Sequence, residues 1–323
     1  MHYNVWSQDI LPSFNAANQI YHHITPDHSD NEGLGTVGLS YKSQWQGLAD
    51  QIGFNTIQIN GESHLYASNL DQWTAGGVFL HDNGSTGSLQ NNVIQLHGRY
   101  QRMIPISKKE NQSLTVQVGT GIRLGGYNIN PSTLWFGRQF DIPNNVVNTN
   151  LVSGESNIID NVNYWSFMFS ASGTYTIKKR HKLLLGLTVT NLNTPKISLM
   201  NSNEFLPRSY FGTMQFKSFI NKQLIQDIQI AYQHIGSFQN ILMAYKMHFN
   251  VNADDSNIYV GLGSRLGKSY ENWQTNTIAF LFGVEFNMID IQFNYERSVS
   301  PFSANSNGGS TFELMASYRI RSN

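Results

Sequence analysis

The chain has 323 residues, no net charge at neutral pH, 13% charged and 12% aromatic residues, and no cysteine. That balance argues against a disordered chain and a basic nucleic-acid binder, and it leaves little of the charge that keeps soluble proteins apart. Without cysteine there is no disulfide framework, thiolate metal site or thiol nucleophile.

The opening stretch, MHYNVWSQDILPSF, lacks the positive flank and apolar run of a secretory signal, so either the chain is not exported or its signal has been removed. No run approaches the ~18 consecutive apolar residues of a membrane helix. The polar cluster YHHITPDHSDNEG offers His22, His23, Asp27, His28, Asp30 and Glu32, but its spacing fits neither zinc nor EF-hand patterns. It reads as a polar segment leading into the first strand, and no cofactor is expected.

Period-two alternation starts near residue 35 and recurs to the C-terminus, the mark of strands whose two faces meet different surroundings. In LTVQVGTGIRL, Leu114, Val116, Val118, Ile122 and Leu124 share one face, with Gln117 and Arg123 on the other. YWSFMFSASGTYTI places Trp165, Phe167, Phe169 and Tyr175 together, and ILMAYKMHF does so for Ile241, Met243, Tyr245, Met247 and Phe249. In IAFLFGVEFNMIDIQFNYE the apolar face runs through Ile278, Phe280, Phe282, Val284 and Phe286, then resumes with Ile289, Ile291, Phe293 and Tyr295. Glu285, Asp290, Gln292, Asn294 and Glu296 oppose it, around a tight turn of two or four residues at Asn287-Met288. TFELMASYRIR closes the series.

The runs amount to about 14 strands of roughly 9 to 13 residues, the length that crosses a hydrocarbon layer when tilted. Closure into a barrel removes the edges of so large a sheet. Connections after even strands are short (SNLD, ISKKENQ, KKRH, NKQ, VNADDSN, NMID), and those after odd strands are mostly long, with GSFQ the exception. HDNGSTGSLQN and GKSYENWQT are among the expected long loops, as is a roughly 35-residue stretch after Gly126 that is long enough to fold inward as a plug. Short turns at one rim and long loops at the other are the asymmetry of outer-membrane barrels. The expected fold is therefore an all-β, transmembrane, antiparallel up-and-down barrel with short periplasmic turns and long extracellular loops. Residues 35–323 form it, preceded by an N-terminal periplasmic segment, 1–34. A soluble β-sandwich is the rival, and inward-facing Gln, Asn, Thr and Arg count against it, since a wet lumen accepts them.

No HExxH, GxSxG, Walker or dinucleotide motif occurs, and the ten histidines are scattered. His97, Glu285, Asp290 and Glu296 are expected to be lumen-facing groups paired across strands, and KKRHK at 178–182 a charged turn. The chain is not expected to be an enzyme.

Five motifs in order carry a resemblance. VGLSYKSQWQGL presents Gln44, Trp45, Gly47 and Leu48; LWFGRQFD presents Leu134, Phe136, Gly137, Gln139, Phe140 and Asp141, with Arg138 in place of an acid. LTVTNLNTP and LPRSY supply Asn191, Leu192, Asn193, Pro195, Leu206, Pro207, Arg208 and Tyr210; GGSTFELMASYRI supplies Gly308, Gly309, Phe312, Glu313, Leu314 and Tyr318. In these the chain resembles the PorP/SprF family of outer-membrane barrels associated with type IX secretion. The N-terminal part departs from the family's Q-Y-x-x-N-P pattern, with only Gln8, Asp9, Asn18 and Pro26 suggesting it.

The resemblance implies a multi-pass protein of the bacterial outer membrane, in contact with its lipid, with no nucleic-acid partner. It implies a secreted adhesin with a C-terminal type IX secretion signal as partner at the extracellular rim, and periplasmic or peptidoglycan-linked secretion or gliding components at the other. Candidate partner-binding residues are Gln44, Trp45, Trp135, Phe136, Gln139, Phe140, Asp141, Pro207 and Arg208. The alternative function is a passive channel or transporter for small or hydrophobic solutes.

Overall fold

In the computed structural model the described residues are 33–46, 53–84, 89–107, 111–130, 137–141, 146–148, 150–151, 161–178, 180–198, 203–221, 223–252, 256–269, 272–299 and 309–321. Fourteen of its strands close a barrel: β1 (Gly33–Gln46), β2 (Phe54–Ala67), β3 (Asp71–Gly84), β4 (Leu89–Ser107), β5 (Gln112–Ile129), β8 (Asn161–Ile177), β9 (His181–Thr190), β10 (Ser209–Phe219), β11 (Leu224–Ile235), β12 (Phe238–Asn252), β13 (Ser256–Ser269), β14 (Asn272–Phe286), β15 (Ile289–Ser298) and β16 (Ser310–Arg321). Two-residue strands β6 (Phe140–Asp141) and β7 (Val146–Val147) pair with each other inside the β5–β8 connection. Every barrel strand pairs antiparallel with its chain neighbour, and β1 closes on β16 through pairs such as Val37↔Tyr318 and Tyr41↔Leu314. The start of β1 and the end of β16 thus meet at the short-turn rim.

Alternation becomes an outward apolar coat. Ile278, Phe280, Phe282 and Phe286 on β14 and Ile289 and Ile291 on β15 are exposed, while Ala279, Leu281, Asn294 and Glu296 between them are buried. Across the β15–β16 pair, Phe293 and Phe312 meet edge to face at 5.0 Å. Following one row of paired residues from Phe282 through Phe293, Leu314, Tyr41, Ile57 and His81 to Asn92 carries it from the apolar coat to a polar end. The strands are therefore tilted and staggered, as closure requires.

Turn chemistry explains the short rim. Asn111, Lys178 and Asn287 take positive φ, and Asn221 accepts the Gln223 and Leu224 N–H groups at 2.8 Å each. Of the two turns open to Asn287-Met288, the two-residue form is realised, with Phe286↔Ile289 the last pair. Only Asn287 (φ 54°) is left-handed there, so Met288 bears no strain.

The long rim differs from expectation in two places. HDNGSTGSLQN and GKSYENWQT are mostly strand, since Asn83↔Gln90 and Ser269↔Asn272 continue the ladders. Apolar alternation stops where the hydrocarbon stops, whereas backbone pairing has no reason to, so the loops read too long and the strands too short. β4, β5 and β8 reach 19, 18 and 17 residues.

Candidate functional site at the long-loop rim

The wall has a step. β8 pairs with β9 only from Phe169↔Val189 onward, so Asn161 to Met168 rise beyond the β9 ladder, about 26 Å along the strand at ~3.3 Å per residue. Chain 191–208, between β9 and β10, is fastened across this step. Asn191 and Thr194 adopt positive φ (58° and 41°), which swings the chain off the ladder. The Asn193 side chain then completes the β8 edge: its Oδ1 accepts the Phe167 N–H at 3.1 Å and its Nδ2 donates to the Trp165 carbonyl at 3.0 Å. Leu192 N donates to the Phe167 carbonyl at 3.1 Å.

Beyond Pro195 the segment doubles back as a narrow ribbon, with Ile197 N donating to Glu204 O (3.0 Å) and Leu206 N to Pro195 O (2.8 Å). Two bonds clasp its ends: Asn191 Nδ2 to Pro207 O at 3.0 Å and Arg208 Nε to Leu192 O at 3.2 Å. Gly236 (φ 57°), in the β11–β12 turn, lies beneath the Pro207 ring. Ile197 and Leu206 point into the barrel mouth and are buried against Tyr127 and Tyr164, whose rings stack at 5.7 Å. Tyr164 can lie flat on the wall because Gly125 opposite it has no side chain; a Cβ there would overlap the ring. Burying two aliphatic side chains stabilises the strap by roughly 3–6 kcal/mol before the entropy of ordering it. Leu192, Phe205 and Arg208 are left exposed on its outer side.

Below the strap the inward faces are polar, and many of their side chains are buried. Arg265 Nη2 meets Glu296 Oε1 at 3.2 Å, and the same carboxylate accepts from Thr277 Oγ1 (3.0 Å) and Asn294 Nδ2 (3.1 Å). Asp227 takes both oxygens to Gln215 Nε2, at 2.9 and 2.8 Å, and Glu62 holds Arg99 at 2.8 Å with His97 at 3.5 Å. Glu285 is bridged to Arg319, and Gln292 donates to Asp290. The four lumen groups expected to pair across strands thus have partners, although Asp290 finds its own on the same strand. At this level Asn240, Asn294, Glu313 and Glu296 are 0–2% exposed.

The partner-binding candidates do not form one cluster. Pro207 and Arg208 sit in the strap. Gln44 is buried on β1, seven strands away from β10 in either direction around the ring. Gln139 is buried and donates to Leu151 O at 2.9 Å, bracing the small β6–β7 hairpin that contains Phe140 and Asp141. Trp135 and Phe136 lie outside the described residues, as does the Trp45 side chain. Much of the stretch after Gly126, which is long enough to fold inward, lies outside the described residues; the inward-folding segment that is described is the β9–β10 connection. Asn191, Asn193, Ile197 and Tyr164 were not among the candidates; the paired Asn residues in NLN, next to a strand end, were the signal available.

A model of the type IX secretion system membrane protein PorP/SprF family matches residues 9–318, nearly the whole chain. The chain belongs to the PorP/SprF family. Among curated proteins no relative matches it. Solved structures similar to this PorP/SprF barrel include the deltaS2 mutant of the monoaromatic hydrocarbon channel TodX (10% identity, TM-score 0.61, covering 95% of this chain and 94% of that one). The P. putida toluene transporter TodX is similar at 9% identity and TM-score 0.56, over 95% and 94% of the two chains. A Pseudomonas aeruginosa FadL homologue follows at 10% identity and TM-score 0.51, over 90% and 91%. At such identities the likeness is one of fold, that of an outer-membrane barrel.

Proposed function

We propose that this PorP/SprF protein is a non-enzymatic, multi-pass accessory of type IX secretion in the outer membrane. It binds one secreted adhesin bearing a C-terminal secretion signal and exports it or anchors it at the cell surface. Its short-turn rim meets periplasmic or peptidoglycan-linked parts of the secretion or gliding machinery. The observation that supports this reading is the strap: two stretches matched by the resemblance, NLNTP and LPR, clasp each other and present Leu192, Phe205 and Arg208 outward. Exposed aromatic and Arg side chains on a rigid support are the groups that dominate protein interfaces. Burial of the inward polar groups weighs against the alternative, a solute channel.

The test is a Phe205→Ser/Arg208→Ala variant in cells, with surface adhesin read by antibody labelling and folding read by the heat-dependent gel shift of intact barrels. Display is expected to fall by about tenfold or more while the barrel stays folded. Unchanged display refutes the reading, and a steady conductance of the purified protein in a planar bilayer favours the channel.

A further inference from the structure

On the outer face of the wall, three successive rows of outward residues cross β3, β4, β5 and β8. Phe79↔Ile94↔Leu124↔Trp165 is wholly apolar and exposed. One step toward the long rim the row reads His81↔Asn92↔Gly126↔Asn163, and the next Asn83↔Gln90↔Asn128↔Asn161. The change from hydrocarbon-facing to water-facing surface occurs between the first two rows.

A groove of about 490 Å³ straddles that line. Its depth comes from Gly126: with no side chain there, Asn163 folds over the backbone, its Oδ1 2.6 Å from where a Cβ would stand. Ile94, Leu124 and Trp165 line the apolar half; Asn92, Asn128, Asn161 and Asn163 line the polar half, with no Lys, Arg, Asp or Glu among the described lining residues. Asn92 is oriented by His81, whose Nδ1 lies 2.7 Å from its Oδ1. Tyr164 and Gly125 belong both to this groove and to the Tyr127–Tyr164 platform under the strap, so one thickness of backbone separates them.

We propose that this groove binds the sugar head of an outer-leaflet glycolipid, with an acyl chain along Leu124 and Trp165. Four carboxamides offer both donors and acceptors at close spacing, which matches hydroxyl groups that do the same. A phosphate head would call for the cations that the described lining lacks. Position selects the source, since only a membrane amphiphile has its apolar-to-polar junction at this depth. The assignment is independent of the secretion reading.

The protein in nanodiscs is the object of the test, with native mass spectrometry counting retained lipid. The discs contain either a neutral monoglycosyl diacylglycerol or phosphatidylglycerol as competitor. One glycolipid per barrel is expected to be retained in preference to phosphatidylglycerol. Gly126→Leu, which fills the groove, lowers retention by about tenfold, as does Asn161→Ala/Asn163→Ala, which keeps the test sound should Gly126→Leu misfold. Tyr245→Leu, on the far wall, leaves retention unchanged. Absence of glycolipid from the wild type, equal retention of phosphatidylglycerol, or equal retention by the folded variants overturns the assignment.

Discussion

Asn193 bonds the Phe167 N–H and the Trp165 carbonyl, so one carboxamide stands in for the residue that a longer β9 would have placed there. Each bond contributes about 0.5–1.5 kcal/mol. Asn193→Ala is expected to lower unfolding stability by roughly 1–3 kcal/mol, and Asn193→Asp, which keeps only an acceptor, by part of that. Urea unfolding in detergent micelles measures both, and equal stability of all three proteins would contradict the edge-capping role. Arg265 and Glu296 show the opposite asymmetry of a buried pair. Arg265→Met alone strands a carboxylate that is 2% exposed and is expected to cost about 3–5 kcal/mol. Adding Glu296→Leu to Arg265→Met restores most of this loss in the same unfolding measurement. Sequence alternation identified Glu296 as inward, yet its partner lies 31 residues away and is set by stagger between strands.

Single elements were legible in proportion to how local their causes are. The β14–β15 hairpin is the clearest: alternation on both sides of Asn287-Met288 fixed its register, and Asn287 carries the left-handed backbone. Asn287→Gly is expected to be neutral, whereas Asn287→Val costs about 1–2 kcal/mol, because a branched Cβ clashes in that conformation. Refolding into vesicles followed by denaturant titration separates the two. The strap was legible only as motif fragments, since its inward turn depends on the Tyr127–Tyr164 platform from β5 and β8. Ile197→Asp is expected to release it, so that limited proteolysis cuts within 191–208 while the barrel retains its gel shift. Resistance equal to wild type would mean that the buried Ile197 contact does not hold the strap.

Over the whole molecule, the outward coat has to match a bilayer all the way round. Phe282 lies between Phe280 and Val284 well inside the apolar coat, and Phe282→Arg is expected to cost about 2–4 kcal/mol when folding is measured in lipid vesicles. In detergent, which adapts to a charge, the penalty shrinks. The inward side follows another rule: many of its polar groups are buried, and several of them, such as Asp227 with Gln215 and Glu296 with Asn294, bond to one another across or along the strands.

The amino-acid sequence by itself determined that the chain is a closed barrel of about fourteen strands with an apolar exterior and unequal rims. Each of those features follows from a period-two pattern or a connection length, which are properties of contiguous residues. Tertiary structure alone decided which inward charges pair, that the β9–β10 segment folds into the mouth, and where Gly126 opens a groove at the membrane boundary. These depend on the stagger and unequal height of neighbouring strands, which bring together residues that no local pattern relates.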